Sequence, residues 1–375
     1  MRHFYHLRSI TFMIILVALH LVPQGASAAT SPDYIYLQIT NKFIEGTLSL
    51  NNQGHVLWEE TVAPARNLWL YRNNGNTLII SELSGHSSGT LNNNDQAAWQ
   101  KSAAYADNYF YSNGTITQMT FSQADETYPS AAKLNNHGQM VWFESFYDHV
   151  TNRIAFFNNP GIIYLGYSQQ HINSYPNFNN LGQIVWTQQV GGYHQVFLYD
   201  GSATIQITYD DADKENPKIN DLGDIVWLQP GIDINNRALV LRRNQVKTTL
   251  TETLNGGFVL NNIGQIVWIA TVGQLKLYSN GVTTHVGICD YSIYPGLNNQ
   301  GQIAYHNYDS ELMVYNHNTG AKITLDSVHR YRNNIQINDN GQVAWSDAFG
   351  LAYLATPKSL FGKRIAAILA LLLLD

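Results

Sequence analysis

The sequence predicts an all-β chain folded as a β-propeller of eight four-stranded blades. Three observations predict it: a phrase that returns at a nearly fixed interval, a strand-and-turn pattern inside each interval, and chain ends that complement one another. The phrase opens on an aliphatic or aromatic residue, runs through Asn-Asn-x-Gly or a near variant, and closes on an aromatic ring. The closing rings are Trp58, Trp99, Trp142, Trp186, Trp227, Trp268, Tyr305 and Trp345, spaced 37 to 44 residues apart. Such a period marks one supersecondary unit stacked many times. Charged residues make up only 13% of the chain, and the abundance of Asn, Gly, Tyr and Thr suits a turn-rich β protein.

The elements of one unit follow in order from residues 213–256. Asn216 and Pro217 mark an entry, and residues 218–220 form a short first strand. Asn220, Asp221 and Gly223 then make a tight turn, because Asn and Asp bond their own backbone and Gly supplies positive φ at no steric cost. Residues 224–227 form a second strand, 238–241 a third and 247–250 a fourth. In the preceding unit, Asp200 and Gly201 between residues 195–199 and 204–208 give the strongest short hairpin signal. The second strand is apolar on successive residues, as in Ile184, Val185 and Trp186. Alternation would leave one wet face; a continuous apolar run requires both faces to be covered. Four-stranded sheets stacked radially around an axis meet that need, with each closing ring wedged between neighbours.

The ends predict closure. Residues 34–40 resemble the fourth strand at 205–208, while the last repeat stops after a third strand at 350–354. The N-terminal strand is therefore expected to complete the blade begun near residue 335 and so remove an exposed sheet edge. The propeller then spans residues 34–354. Seven blades is the alternative, reached if the unit at 82–99, with Asp95 where the others carry Gly, is degenerate.

Outside the repeats, residues 1–28 read as a secretory signal: Arg2 and Arg8, an apolar stretch from Thr11 to Val22, then Ala26, Ser27 and Ala28 as a cleavage site. Its removal loses two arginines and moves the formal charge from −6 to −8, which disfavours nucleic acid and anionic membranes as partners. The protein is expected to be exported, to the periplasm or beyond, and to be monomeric. Cys289 is the only cysteine, so no intrachain disulfide forms, and it reads as a small buried hydrophobe. The tail at 357–375 breaks the repeat. Its apolar run, Ile365 to Leu374, is ten residues and too short to span a bilayer, leaving no stable membrane span in the mature chain. It is read as a cover for the ring or a surface contact.

Residues 176–208 carry a resemblance. Pro176, the turn Asn180, Leu181 and Gly182, the strand Ile184, Val185 and Trp186, the run VFLYDG at 196–201, and Ile207 with Thr208 together resemble the WD40-like repeats of TolB-type propellers. The first turn departs from that family, which usually shows Ser-Pro-Asp-Gly. The resemblance implies an exported propeller that binds other molecules, and it carries over no catalytic residue.

Candidate ligand-binding residues lie in the variable loops, from strand two to three and from strand four to the next strand one, which share one end of the ring. They are Asp125, Glu126, Tyr128, His149, His171, Tyr175, His194, Asp211, Asp213, Tyr294 and His306. Tyr beside carboxylates suits sugars, by stacking plus hydrogen bonds. Gly85, Ser87 and Gly89 match G-x-S-x-G, but that motif needs a strand, a strained turn and a helix, which the β pattern here does not provide. The acidic run Asp210, Asp211, Asp213 and Glu215 offers oxygens for Ca²⁺ without the spacing of an EF-hand, and reads as an exposed loop. No histidine spacing suits zinc and no Gly-rich loop opens a helix, so no metal or cofactor is expected. The reading is a non-catalytic binding module for a protein or a carbohydrate. The alternatives are a polysaccharide lyase or glycoside hydrolase, which needs paired carboxylates or His, Tyr and Arg converging in a pocket, and a structural cell-surface protein.

Overall fold

The computed structural model describes residues 31–360, apart from 84, 103–105, 123–126, 148–150, 169–174, 233–235, 291–293, 328–332 and 348. The signal segment at 1–28 and most of the tail, 361–375, lie outside the described residues. Unit 4 shows the plan. Its strands, Asn177–Phe178, Ile184–Val190, Tyr193–Tyr199 and Thr204–Gln206, pair antiparallel in sequence order, with Trp186 opposite Phe197. Side chains alternate across a strand. Ile184, Val185, Trp186 and Thr187 are nonetheless all buried, because both sheet faces are covered.

The strands of the described residues form seven hydrogen-bonded sheets. Six carry one repeat each. The seventh has seven strands and carries units 5 and 6, joined by one 15-residue strand, Val246–Leu260. The sequence predicted a fourth strand ending at 250 and a separate first strand near 260; the backbone instead stays extended between them, with register shifts at Leu239/Val240 and Leu254/Phe258. The unit containing Asp95 has its own four-stranded sheet, built from Gly85–Leu91, Ala97–Ser102, Asp107–Ser112 and Thr115–Gln118. Asp95 takes the left-handed conformation at φ 57°, which Asp tolerates better than most residues.

The ends meet as predicted. Tyr34–Gln38 pairs antiparallel with Ala352–Pro357, placing Leu37 opposite Leu354. The last sheet thus takes its outermost strand from the start of the chain. Tyr36 fixes the join: its hydroxyl donates to the Leu325 carbonyl at 2.7 Å, and its ring meets Trp345 edge-on at 6.4 Å.

Among the described residues eight hydrophobic clusters fill the gaps between units, and each joins one closing ring to the preceding unit. Trp186 packs on Val141, Ile154 and Phe156, and Trp227 on Val185 and Val196. Trp58 packs on Ala344, Ala352 and Leu354, so the last unit abuts the first. The seven Trp of the phrase are at most 1% exposed and Tyr305 is 4% exposed. Replacing such a ring by Ala costs roughly 3–5 kcal/mol.

The Asn-Asn turns make a second closure, in hydrogen bonds. Within a turn, Asn179 Oδ1 accepts the N–H groups of Leu181 and Gln183, both at 3.0 Å, and Gly182 supplies φ 75°. Asn179 Nδ2 then donates to the Asn220 carbonyl of the next unit at 2.9 Å. The same bond recurs from Asn51 to Asn92, Asn92 to Asn135, Asn135 to Asn179, Asn220 to Asn261, Asn261 to Asn298, Asn298 to Asn338, and Asn338 back to Asn51. The second residue of the phrase forms a parallel ring in which each main-chain N–H donates to the side-chain oxygen of the next unit. It runs through Asn52, Asn93, Asn136, Asn180, Asp221, Asn262, Asn299 and Asp339, and returns to Asn52. Asn and Asp put a strong acceptor oxygen on a short side chain, which suits the repeated pair to this ring.

Candidate functional site

In an antiparallel meander the first and third turns share one end, and the loops joining strands two to three and four to the next one share the other. The two ends differ in their exposed side chains. Ten aromatic rings are exposed among the described residues. Nine are at the variable-loop end: Phe43, Phe121, Tyr128, Tyr175, Tyr193, Tyr209, Tyr294, Tyr308 and Phe349. Tyr209 and Tyr308 are 72% and 76% exposed. The tenth, Tyr164, is on an outer strand beneath the Arg153 guanidinium, 3.6 Å from its ring centre. The Asn-turn end exposes aliphatic residues, Leu181, Leu222 and Ile263.

The predicted site residues that are described lie in or beside the variable loops. Asp125, Glu126, His149 and His171 lie outside the described residues. Tyr128 packs against Tyr147 with ring centres 4.7 Å apart. Beside it Arg153 donates to Glu144 at 2.7 Å and lies 4.9 Å from the Phe146 ring, while Trp142 donates to the other Glu144 oxygen at 2.8 Å. Tyr294 lies against bare main chain: a Cβ on Gly257 would fall 1.5 Å from its ring. His194 and Asp213 are in contact, at 3.0 Å between Nδ1 and Oδ1. The His194 main-chain N–H donates to the same oxygen, and this bond, opposed by burial and helped by the imidazole, holds the Asp213 carboxyl below its usual range. Asp211 points to solvent. His306 is a correction. The sequence placed it in a loop, but it ends the strand Gln302–His306 and is 3% exposed, because the second strand continues one residue past Tyr305.

The acidic run at 210–215 is built from ion pairs. Lys214, 1% exposed, reaches Asp210 at 2.8 Å and the Ala212 carbonyl at 2.7 Å. Burial opposes ionisation of Asp210, and the Lys214 ammonium outweighs it, so its carboxyl titrates low. Glu215 faces Arg237 at 3.3 Å. Asp210 and Glu215 are thus each held by a cation, and Asp213 by the His194 main chain and ring. Residues Gly85–Leu91, which contain the G-x-S-x-G match, lie within a strand with no helix after it. Cys289 is buried, its thiol donates to the Gly273 carbonyl at 3.3 Å, and burial pushes its pKa up to about 11.

A second region was not singled out by sequence. First strands of neighbouring units line two cavities on the ring axis. One, of about 660 Å³, is walled by Ser49, Thr90, Lys133, Tyr175 and Gln336 among others. The other, of about 440 Å³, is walled by Lys133, Asn177, Lys218 and Val259 together with Asn-turn residues. Lys133, Asn177 and Lys218 each sit two residues before the first Asn of the phrase, in consecutive units. Burial lowers the Lys133 pKa to about 8; burial, reinforced by the Lys133 charge, does the same for Lys218. The sequence signal was available: aligning the eight phrases and reading that column returns Ser49, Thr90, Lys133, Asn177, Lys218, Val259, Gly296 and Gln336.

No protein-family model and no curated protein matches the chain. Solved structures do. An oligogalacturonate lyase from Vibrio parahaemolyticus is similar over 88% of this chain and 96% of its own, with a TM-score of 0.56 and 10% identity. An oligogalacturonate lyase in complex with manganese gives 0.55 over 86% and 96%, also at 10% identity. TolB from Acinetobacter baumannii covers 81% of this chain and 64% of its own at a TM-score of 0.38 and 12% identity. At such identities only the fold transfers, and with the closed circuit of sheets described above it identifies this chain as a β-propeller.

Proposed function

We propose that the protein is an exported, monomeric, eight-bladed propeller that acts as a non-catalytic binding module, taking a protein or glycan on its variable-loop end. The observation that carries this reading is the gathering of exposed aromatic rings on that one end. Tyr supplies large contact area with little conformational entropy to lose and a hydroxyl that hydrogen-bonds, which suits both ligand classes. The eight-blade count is supported by the two rings of Asn and Asp, each with eight members. Of the predicted His and acidic residues that are described, His194 and Asp213 form a local pair, Asp211 is exposed and His306 is buried.

The test is a glycan array and a set of purified surface proteins probed with the chain from residue 29 onward. Comparison is with Tyr175→Ala/Tyr209→Ala/Tyr294→Ala and, from the opposite end, Leu181→Ser/Leu222→Ser. The tyrosine variant is expected to bind its ligand about tenfold more weakly or worse, a loss of about 1.4 kcal/mol, with the leucine variant unchanged. The reverse pattern, or release of unsaturated uronate from a polysaccharide, would replace this reading with another.

A further inference from the structure

We propose that the axial cavity behind the Asn turns is a binding site for a compact, doubly charged oxyanion such as phosphate, held by Lys133, Asn177 and Lys218. This is independent of the aromatic end, and it rests on three observations. The three residues occupy the same register in three consecutive units and line one cavity. All three bring donors. Lys218 Nζ uses one proton on the Phe258 carbonyl at 2.6 Å and lies 4.6 Å over the Phe258 ring, which fixes the ammonium in place with further protons to give. Asn177 Oδ1 accepts the Ile219 N–H at 3.2 Å, which turns its amide group with Nδ2 as the remaining donor. Among the described residues the Lys133 side chain has no hydrogen bond and no ion pair, although it lines both axial cavities.

Two half-buried ammoniums thus share one cavity, where they repel each other and are partly withdrawn from water. Ionised groups withdrawn from water are normally paired. The carboxylate nearest along this wall, Asp221, is committed to the Asn180 main-chain N–H and Nδ2, each at 2.8 Å. The other titratable group among the described residues of the two cavities is Tyr175. Among the described residues neither lysine is paired with a carboxylate, and the single Asp221 charge in this wall is turned to Asn180, so a dianion would add the charge needed to neutralise both lysines at once. A charge-assisted bond from each ammonium and one from the amide form a three-donor cradle. Burial also holds the lysine pKa values near 8, so the cradle empties of charge in mildly alkaline solution.

The experiment is calorimetric titration of the chain from residue 29 onward in NaCl, with inorganic phosphate in one arm and glucose 6-phosphate in the other. Saturable binding of either at pH 7 is expected, and which one binds tells whether the oxyanion is free or carried on a sugar. Phosphate stays doubly charged between pH 8 and pH 9.5, so an affinity at least tenfold weaker at pH 9.5 reports the lysines. Lys133→Met removes a side chain without hydrogen-bond partners here, is expected to fold, and should weaken binding at least tenfold. Lys322→Met, exposed on an outer strand, should leave binding unchanged. Phosphate should raise the melting temperature of the wild type and not of Lys133→Met. Absence of binding by both probes, or binding equal in wild type and Lys133→Met, overturns the proposal.

Discussion

At the scale of single residues, the first Asn of each phrase carries more of the fold than its polarity suggests. Asn220 is 1% exposed. Its Oδ1 accepts Leu222 and Asp224 N–H groups, and its Nδ2 donates to Asp224 and to the Asn261 carbonyl of the next unit. Asn220→Ala removes all four bonds and strands buried partners, each of which costs about 1–3 kcal/mol when left unsatisfied. The expected loss is about 3 kcal/mol in urea unfolding, whereas Leu222→Ser, at the exposed third position of the same turn, should stay within about 0.5 kcal/mol. The turn itself was legible in the sequence, because Asn, Asp and Gly have local conformational preferences. The bond to the next unit was not, because its partner lies 41 residues away. Substitutions within the phrase show the same division. Asp224 stands where six of the other units have Gln, and Arg243 secures it with bonds of 2.9 and 2.7 Å. His55 stands in the corresponding place of unit 1 and meets Asp95 at 2.7 Å.

At the scale of elements, the strand that matters most is the one furthest from its sheet in sequence. Tyr34–Gln38 covers the edge of Ala352–Pro357, which would otherwise offer unpaired N–H and C=O groups to another molecule. A chain starting at residue 41 is expected to melt at lower temperature than one starting at residue 29. It should also form dimers or larger species on size-exclusion chromatography, and strand addition of a peptide spanning residues 31–40 should reverse both effects. Equal melting of the two chains would mean that the join adds nothing to stability. This closure could be read from the sequence because it follows from counting strands. The continuous strand Val246–Leu260 could not, since nothing in its local composition distinguishes a loop between units from uninterrupted extended backbone.

At the scale of the whole molecule, the ring creates environments that no unit has alone. Lys133 and Lys218 belong to different units and share one cavity only because the ring is closed. Their pKa values, near 8 in the fold, lie below the unfolded value of about 10.4. Below pH 8 both states hold these protons and the buried charges oppose folding. Between about pH 8 and pH 10 the folded state releases protons that the unfolded chain keeps, so stability rises with pH. Above that window the sign reverses: burial pushes Tyr34 and Tyr305 up to about 12, so unfolded tyrosines ionise first and stability falls. Urea midpoints measured across pH 7–11 without phosphate should therefore peak near pH 10. Lys133→Met/Lys218→Met should flatten the rise and be more stable than the wild type at pH 7; a rise that persists in this variant would place its origin elsewhere.

The sequence by itself determined the repeat, the four-stranded unit, the buried closing ring and the sharing of the last sheet between the two ends. These are consequences of periodicity, turn chemistry and apolar runs, which act over a few residues and recur. Tertiary structure alone decided which side chains meet around the axis and which stay on the rim. It buried His306 one residue beyond its strand's aromatic, tied the acidic loop up in ion pairs, and brought two lysines 85 positions apart into one cavity. Those outcomes depend on how one unit is rotated against the next, and that geometry is set by packing between units rather than by any residue's local preference.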